Sequence, residues 1–165
     1  MAAGQGETGK AYERALWFLE RRDRTEKEVS DKLSGLGFSE EAVNGALSRL
    51  RDAGLVNDAD YALRYLEALK AKGRGRLRIS SEMRRKGLPD GLVRNTLDDG
   101  LDAEGEKARA LAAARKARAG IPEGGDPRKA AAKVNRKLVS LGFAYSVIGE
   151  VMEEMRKEED VSELG

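Results

Sequence analysis

The residues best placed to do chemistry in this 165-residue chain are cations. Between Lys70 and Lys86 stand eight bases (Lys70, Lys72, Arg74, Arg76, Arg78, Arg84, Arg85 and Lys86) against one acid, Glu82, a local charge of +7. Such a run either binds phosphate or an acidic protein surface, or forms a solvated helical face. Leu77, Ile79 and Met83 interrupt the bases at positions that would bury, and Arg74, Arg76 and Arg78 precede or open a helix whose stability does not need them. Binding is therefore the favoured reading, with an affinity that falls as salt rises because each neutralised phosphate releases counterions. Residues 150–165 carry the opposite sign, seven acids and two bases, so the net charge of +2 conceals a basic patch and an acidic end.

Other chemistries find little support. With neither cysteine nor histidine, the chain has no disulfide, no thiolate nucleophile, no Ser-His-Asp triad and none of the usual zinc sites. Gly4-Gln5-Gly6-Glu7-Thr8-Gly9-Lys10 follows most of a phosphate-binding loop. Ala11, however, stands where a magnesium-holding Ser or Thr belongs, and only three residues precede Gly4, too few for the strand that anchors such a loop. A flexible leader over 1–9 is the expectation. Gly73-Arg74-Gly75 reads as a turn between helices. The acid pairs Glu40-Glu41, Asp98-Asp99 and Glu153-Glu154 suit helix ends and solvated faces. No catalytic, cofactor-binding or metal-ligating residue is assigned, no cofactor is expected, and the chain reads as a non-enzyme. Without an apolar signal segment or membrane span, it is expected in the cytoplasm.

The elements that position these charges repeat. Lys32-Leu33-Ser34-Gly35-Leu36-Gly37-Phe38, Glu82-Met83-Arg84-Arg85-Lys86-Gly87-Leu88 and Lys137-Leu138-Val139-Ser140-Leu141-Gly142-Phe143 read alike at a spacing of about fifty residues, one supersecondary unit used three times. Apolar residues fall at helical spacing, as in Tyr12, Ala15, Leu16, Leu19 and again in Ala62, Tyr65, Leu66, Leu69, and no run alternates convincingly with period two. Each unit reads as three helices. In the first, a helix over roughly 10–22 is followed by Thr25, three residues before Glu28, a capping box. The second helix closes at Gly37, which suits the left-handed position after a C-terminus, and Ser39 caps a third that Gly54 stops. In the second unit Asn57 or Asp58 caps, residues 72–75 break, Gly87 turns and Pro89 sits near the start of the last helix. The third has an alanine-rich first helix, a loop over 120–127, and an Asp126 cap with Pro127 behind it. Boundaries follow at 10–57, 58–101 and 102–157, with a frayed acidic tail over 158–165. A unit of about fifty residues is marginal alone, so the three should lean on one another.

The ordered set of residues resembles the RecX family, regulators of the RecA recombinase. The resemblance is carried by Ala15-Leu16-Trp17-Phe18-Leu19-Glu20-Arg21-Arg22, Glu28, Leu33, Gly37-Phe38, Val43, and Leu50 leading into Gly54-Leu55-Val56-Asn57-Asp58. It continues through Asp60-Tyr61-Ala62, Lys72-Gly73-Arg74-Gly75, Ile79, the run from Glu82 to Leu88, Leu97, and Leu141-Gly142-Phe143-Ala144-Tyr145-Ser146-Val147-Ile148. It implies an all-α chain of three tandem, helix-turn-helix-like three-helix repeats in an elongated, curved array. It further implies a monomer that binds RecA filaments along the helical groove and inhibits ATP hydrolysis, strand exchange and co-protease activity, with weak binding of single- and double-stranded DNA and no membrane partner. Lys72, Arg74, Arg76, Arg78, Arg84, Arg85 and Lys86 are the candidate RecA or DNA contacts. The alternative is an independent helix-turn-helix-like DNA-binding protein. Against it, the third helix of the first unit exposes Glu40 and Glu41 in the turn that would meet phosphate.

Overall fold

The computed structural model describes residues 2–164 and is entirely helical among them. The elements are α1 (Ala2–Leu19), α2 (Glu26–Gly35), α3 (Glu40–Asp52), α4 (Asp58–Ala71), α5 (Arg76–Arg85), α6 (Asp90–Gly100), α7 (Ala103–Ala119), α8 (Pro127–Ser140) and α9 (Tyr145–Glu163). The local signals act as read. Thr25 and Glu28 form the reciprocal capping box at the start of α2, and the Ser39 hydroxyl accepts from Ala42 N–H at the start of α3. Gly37, Gly87 and Gly142 turn the chain after α2, α5 and α8 at φ +90°, +83° and +83°.

Both chain ends differ from expectation, and for the same reason: a helix persists where a neighbour covers one side of it. The leader expected over 1–9 is the first half of α1, despite its three glycines. α1 packs along α3; the Glu7 carboxylate accepts from Ser39 N–H and Oγ–H, each at 2.9 Å, and these bonds hold it below the usual carboxylate pKa. A helix also leaves no loop to cradle phosphate at Gly4–Lys10. At the other end, the expected frayed tail continues α9, where Glu158 pairs with Arg115 and Glu159 with Arg118. Met1 and Gly165, the outermost residues of leader and tail, lie outside the described residues. Two smaller differences are the end of α1 at Leu19 rather than Arg22, and the place of Pro89, which precedes α6 and whose carbonyl accepts from Val93 N–H.

The chain forms two compact units, Met1–Tyr65 with Met83–Val93, and Leu66–Glu82 with Arg94–Gly165. In the first, Ala11, Ala15, Val29, Leu33, Val43, Leu47 and Leu50 form a core between α1, α2 and α3, flanked by Tyr12, Phe18 and Phe38. In the second, Ala110 and Ala114 of α7 meet Val134 and Leu138 of α8, Phe143 of the turn after it, and Ile148 and Val151 of α9. The middle three helices are divided between the units: Ala62, Met83, Leu88 and Val93 are buried in the first, and Leu66, Leu69, Ile79 and Leu97 in the second.

One joint occurs in each unit. In the first, the start of α2 sits on the turn after α5: Thr25 Oγ–H donates to the Lys86 carbonyl at 2.6 Å, Glu26 N–H donates to Asp58 at 2.9 Å, and a Cβ on Gly87 would collide with the Lys27 side chain. In the second, fifty residues on, the start of α5 sits on the turn after α8. Gly75 N–H donates to the Leu141 carbonyl at 2.8 Å, Leu77 N–H to the Gly142 carbonyl at 3.0 Å, and Arg76 N–H to the buried Glu106 at 2.9 Å. In both, a carboxylate from the following segment takes the first free N–H of a helix and complements its positive end.

Two predictions follow from the joints. Gly142 combines positive φ with contact to the Arg78 backbone, whereas Gly37 has the same φ and open space beside it. Gly37→Ala should cost about 1–2 kcal/mol by chemical denaturation, and Gly142→Ala a further 1–3 kcal/mol from the collision; equal losses would contradict the joint. Burial raises the Asp58 pKa more than its bond to Glu26 N–H lowers it, so this group's contribution to stability falls as pH rises through that window. Asp58→Asn keeps an acceptor without the charge. It should be more stable than wild type at pH 7, with the gain fading below the ordinary carboxylate range, while Asp58→Ala loses the cap and about 1 kcal/mol.

Candidate functional site

The alanines of α7 and the signs of the charges on its two sides build the most distinctive surface of the second unit. Along one side, Lys107 meets Glu154 at 2.9 Å, and Arg115 and Arg118 meet Glu158 and Glu159 of α9. These bonds raise the Lys107 and Arg115 pKa values and lower that of Glu158. The acidic end seen in the sequence is therefore engaged with the chain's own bases.

The other side of α7 has no such counterpart. It borders a cavity of about 1120 Å³ whose bases come from three elements. Lys70, Lys72 and Arg74 stand at the end of α4 and in the turn after it, Arg109 and Lys116 on α7, and Lys133, Arg136 and Lys137 on α8; among the described residues no acid lines the space. Ala112, Ala113 and Ala117 also line it, so between its two bases α7 presents small apolar side chains to the space. Gly73, at φ +71°, turns the chain so that Arg74 N–H returns to the Leu69 carbonyl, and the Gly75 bond to Leu141 fixes the rim against α8. Lys70 is held by Glu67 and the Gly100 carbonyl. In contrast, Nε of Arg74, and Nε and Nη2 of Arg109, are buried without a hydrogen-bond partner. Buried donors of this kind are costly unless an acceptor reaches them.

The basic run read from the sequence is thus dispersed. Lys72 and Arg74 line the cavity. Arg76 pairs with Asp98, and Arg78 with Glu82 at 2.7 Å, both in the second unit. Arg84 pairs with Asp90 at 2.8 Å and Lys86 with Glu28 at 3.2 Å in the first, where Arg85 is exposed. Sequence reasoning missed Arg109, Lys116, Lys133, Arg136 and Lys137. A signal was present, since residues 127–140 carry five bases and no acid.

The first unit holds a smaller cleft of about 260 Å³, lined by Arg14, Trp17, Phe18, Arg21, Arg24 and Lys32 with Leu36. Arg24 lies over the Phe18 ring at 4.1 Å and Arg21 over Trp17 at 5.7 Å, so ring faces receive these cations.

Family models and relatives agree with this architecture. Residues 11–50 match the first three-helix domain of RecX and residues 57–97 the second. A regulatory protein RecX from Clostridium botulinum is 34% identical over 147 residues, 88% of this chain and 68% of that protein. This chain belongs to the RecX family. Its RecX relative from Prosthecochloris aestuarii is 29% identical over 90% of the chain and 95% of that protein. A crystal structure of RecX from Lactobacillus salivarius superimposes with a TM-score of 0.81 at 26% identity, covering 92% of this chain and 98% of that one. The fold is accordingly all-α and built from three-helix domains, as the resemblance implied. Among the described residues no helix is long and apolar enough to cross a membrane.

Like charges that converge without acids repel, and salt screens that repulsion. Arg136→Glu should therefore raise the thermal midpoint at low ionic strength and lose the advantage at high salt. Arg118→Glu, which sets an acid against Glu159, should lower it by about 0.5 kcal/mol equivalent. If both variants shift in the same direction, the division of charge across α7 is not what governs them.

Proposed function

We propose that this chain binds RecA filaments in their helical groove and inhibits RecA ATP hydrolysis, strand exchange and co-protease activity, so regulating recombination and repair. Membership of the RecX family carries the reading: 34% identity to a regulatory protein RecX over 88% of the chain. The repeated three-helix plan supports it physically. On this reading the repeats occupy 10–57, 58–101 and 102–157, and the protein acts as a cytoplasmic monomer that is a regulator and not an enzyme. Several copies of one small module can touch successive sites of a repeating lattice, and linked weak contacts multiply in strength.

The proposed contacts are Lys72, Arg74, Arg76, Arg78, Arg84, Arg85 and Lys86. Lys72 and Arg74 line the cationic cavity and Arg85 is exposed. Arg76, Arg78, Arg84 and Lys86 would exchange their present carboxylate partners for those of the filament. A second reading, an independent helix-turn-helix-like DNA-binding protein, draws on the first unit's cleft, which gathers Arg14, Arg21, Arg24 and Lys32.

The test is RecA ATP hydrolysis on single-stranded DNA with increasing amounts of this protein. Loss of hydrolysis well below one copy per RecA protomer is expected, as is recovery when Lys72, Arg74 and Arg85 are reversed in charge with helicity intact. Unchanged hydrolysis with a folded protein, together with tight duplex binding in the absence of RecA, would favour the second reading.

A further inference from the structure

The cationic cavity of the second unit has features that contact with an extended partner does not account for. Its eight bases surround one concavity instead of standing in file. They come from the end of α4, from α7 and from α8, so they approach the space from different sides. The arginines Arg74 and Arg109 bring three buried guanidinium nitrogens that meet no acceptor. Guanidinium forks match the oxygens of phosphate in pairs, and such charge-assisted bonds are among the strongest a protein makes. Among the described residues no aromatic ring lines the space, so nothing there would stack a base. A nucleic-acid strand distributes its charge along its length and uses ring faces; this site concentrates cations about a small volume and offers none.

We propose that this cavity is a receptor for a condensed phosphate chain, either the triphosphate of a free nucleotide or inorganic polyphosphate. Arg74 and Arg109 would take phosphate oxygens at the base of the site, and Lys133, Arg136 and Lys137 would neutralise the rest of the chain from α8. The chemistry differs from contact with a filament, and neither proposal requires the other. An occupied cavity would also be less cationic and would draw acidic partners less strongly, which would make free phosphate chains a brake on any acidic partner that uses it.

The experiment is calorimetric titration of the full chain with sodium tripolyphosphate, with ATP and with sulfate, at physiological salt. Tripolyphosphate should bind in one-to-one ratio and at least about tenfold more tightly than sulfate. Comparable binding of ATP identifies the nucleotide triphosphate as a source, and markedly weaker ATP binding identifies the inorganic chain; both outcomes support the site. Arg109→Gln with Arg136→Gln should weaken tripolyphosphate by about tenfold or more, since each removes a charged donor. Lys129→Gln, on α8 but outside the cavity, should leave it unchanged, with circular dichroism confirming that all variants fold. Equal affinity for sulfate and tripolyphosphate, or loss of equal size in Lys129→Gln, would overturn the proposal in favour of general ionic attraction. Displacement of tripolyphosphate by a short oligothymidylate of higher affinity would overturn it in favour of a nucleic-acid groove. The two proposals are read by different measurements, tripolyphosphate binding by this chain alone and inhibition of RecA, so failure of one does not decide the other.

Discussion

Much in this structure depends on one hydrogen bond made twice. The first free N–H of a helix, Glu26 in one unit and Arg76 in the other, is given to a carboxylate from the next segment of chain, Asp58 or Glu106. A helix start left without acceptors is expensive to bury, and here burial is required because that start rests on a glycine turn. The carboxylate makes the burial tolerable, and the turn makes it close. Segments of about fifty residues, each too small to be secure alone, thereby become parts of larger cores.

The same economy of charge explains the surface. α7 carries bases all round, and α9 supplies acids to only one side. The side facing α8 is left cationic because α8 is itself basic. Alanine on α7 permits this: larger residues would fill the space that Arg74, Arg109 and Arg136 now border. A stretch that looks degenerate for core building, with its large apolar residues lost, is what opens the cavity.

The sequence was most informative where local chemistry decides. The capping box at Thr25, the serine cap at 39 and the positive-φ glycines at 37, 87 and 142 follow from rules that span a few residues. It was less informative where a distant contact decides. Gly4, Gly6 and Gly9 weaken a helix locally, yet α1 runs through them because α3 covers it, and the tail stays helical because α7 supplies bases. The cationic run was half legible. Its charge density was plain, but the sequence alone could not show that Arg76, Arg78, Arg84 and Lys86 have acids at hand, or that bases sixty residues away complete the site begun by Lys72 and Arg74.

The length of α8 has a consequence of its own. Thr25 and Gly75 stand twelve residues before their glycine turns, at the start of ten-residue helices. The corresponding residue before Gly142 is Ala130, and α8 has already begun at Pro127. Its N–H groups at that point are turned inward to its own carbonyls, as Ala130 N–H is to Asp126. α8 therefore opens differently from α2 and α5, on a proline that has no N–H to give to a carboxylate of another segment.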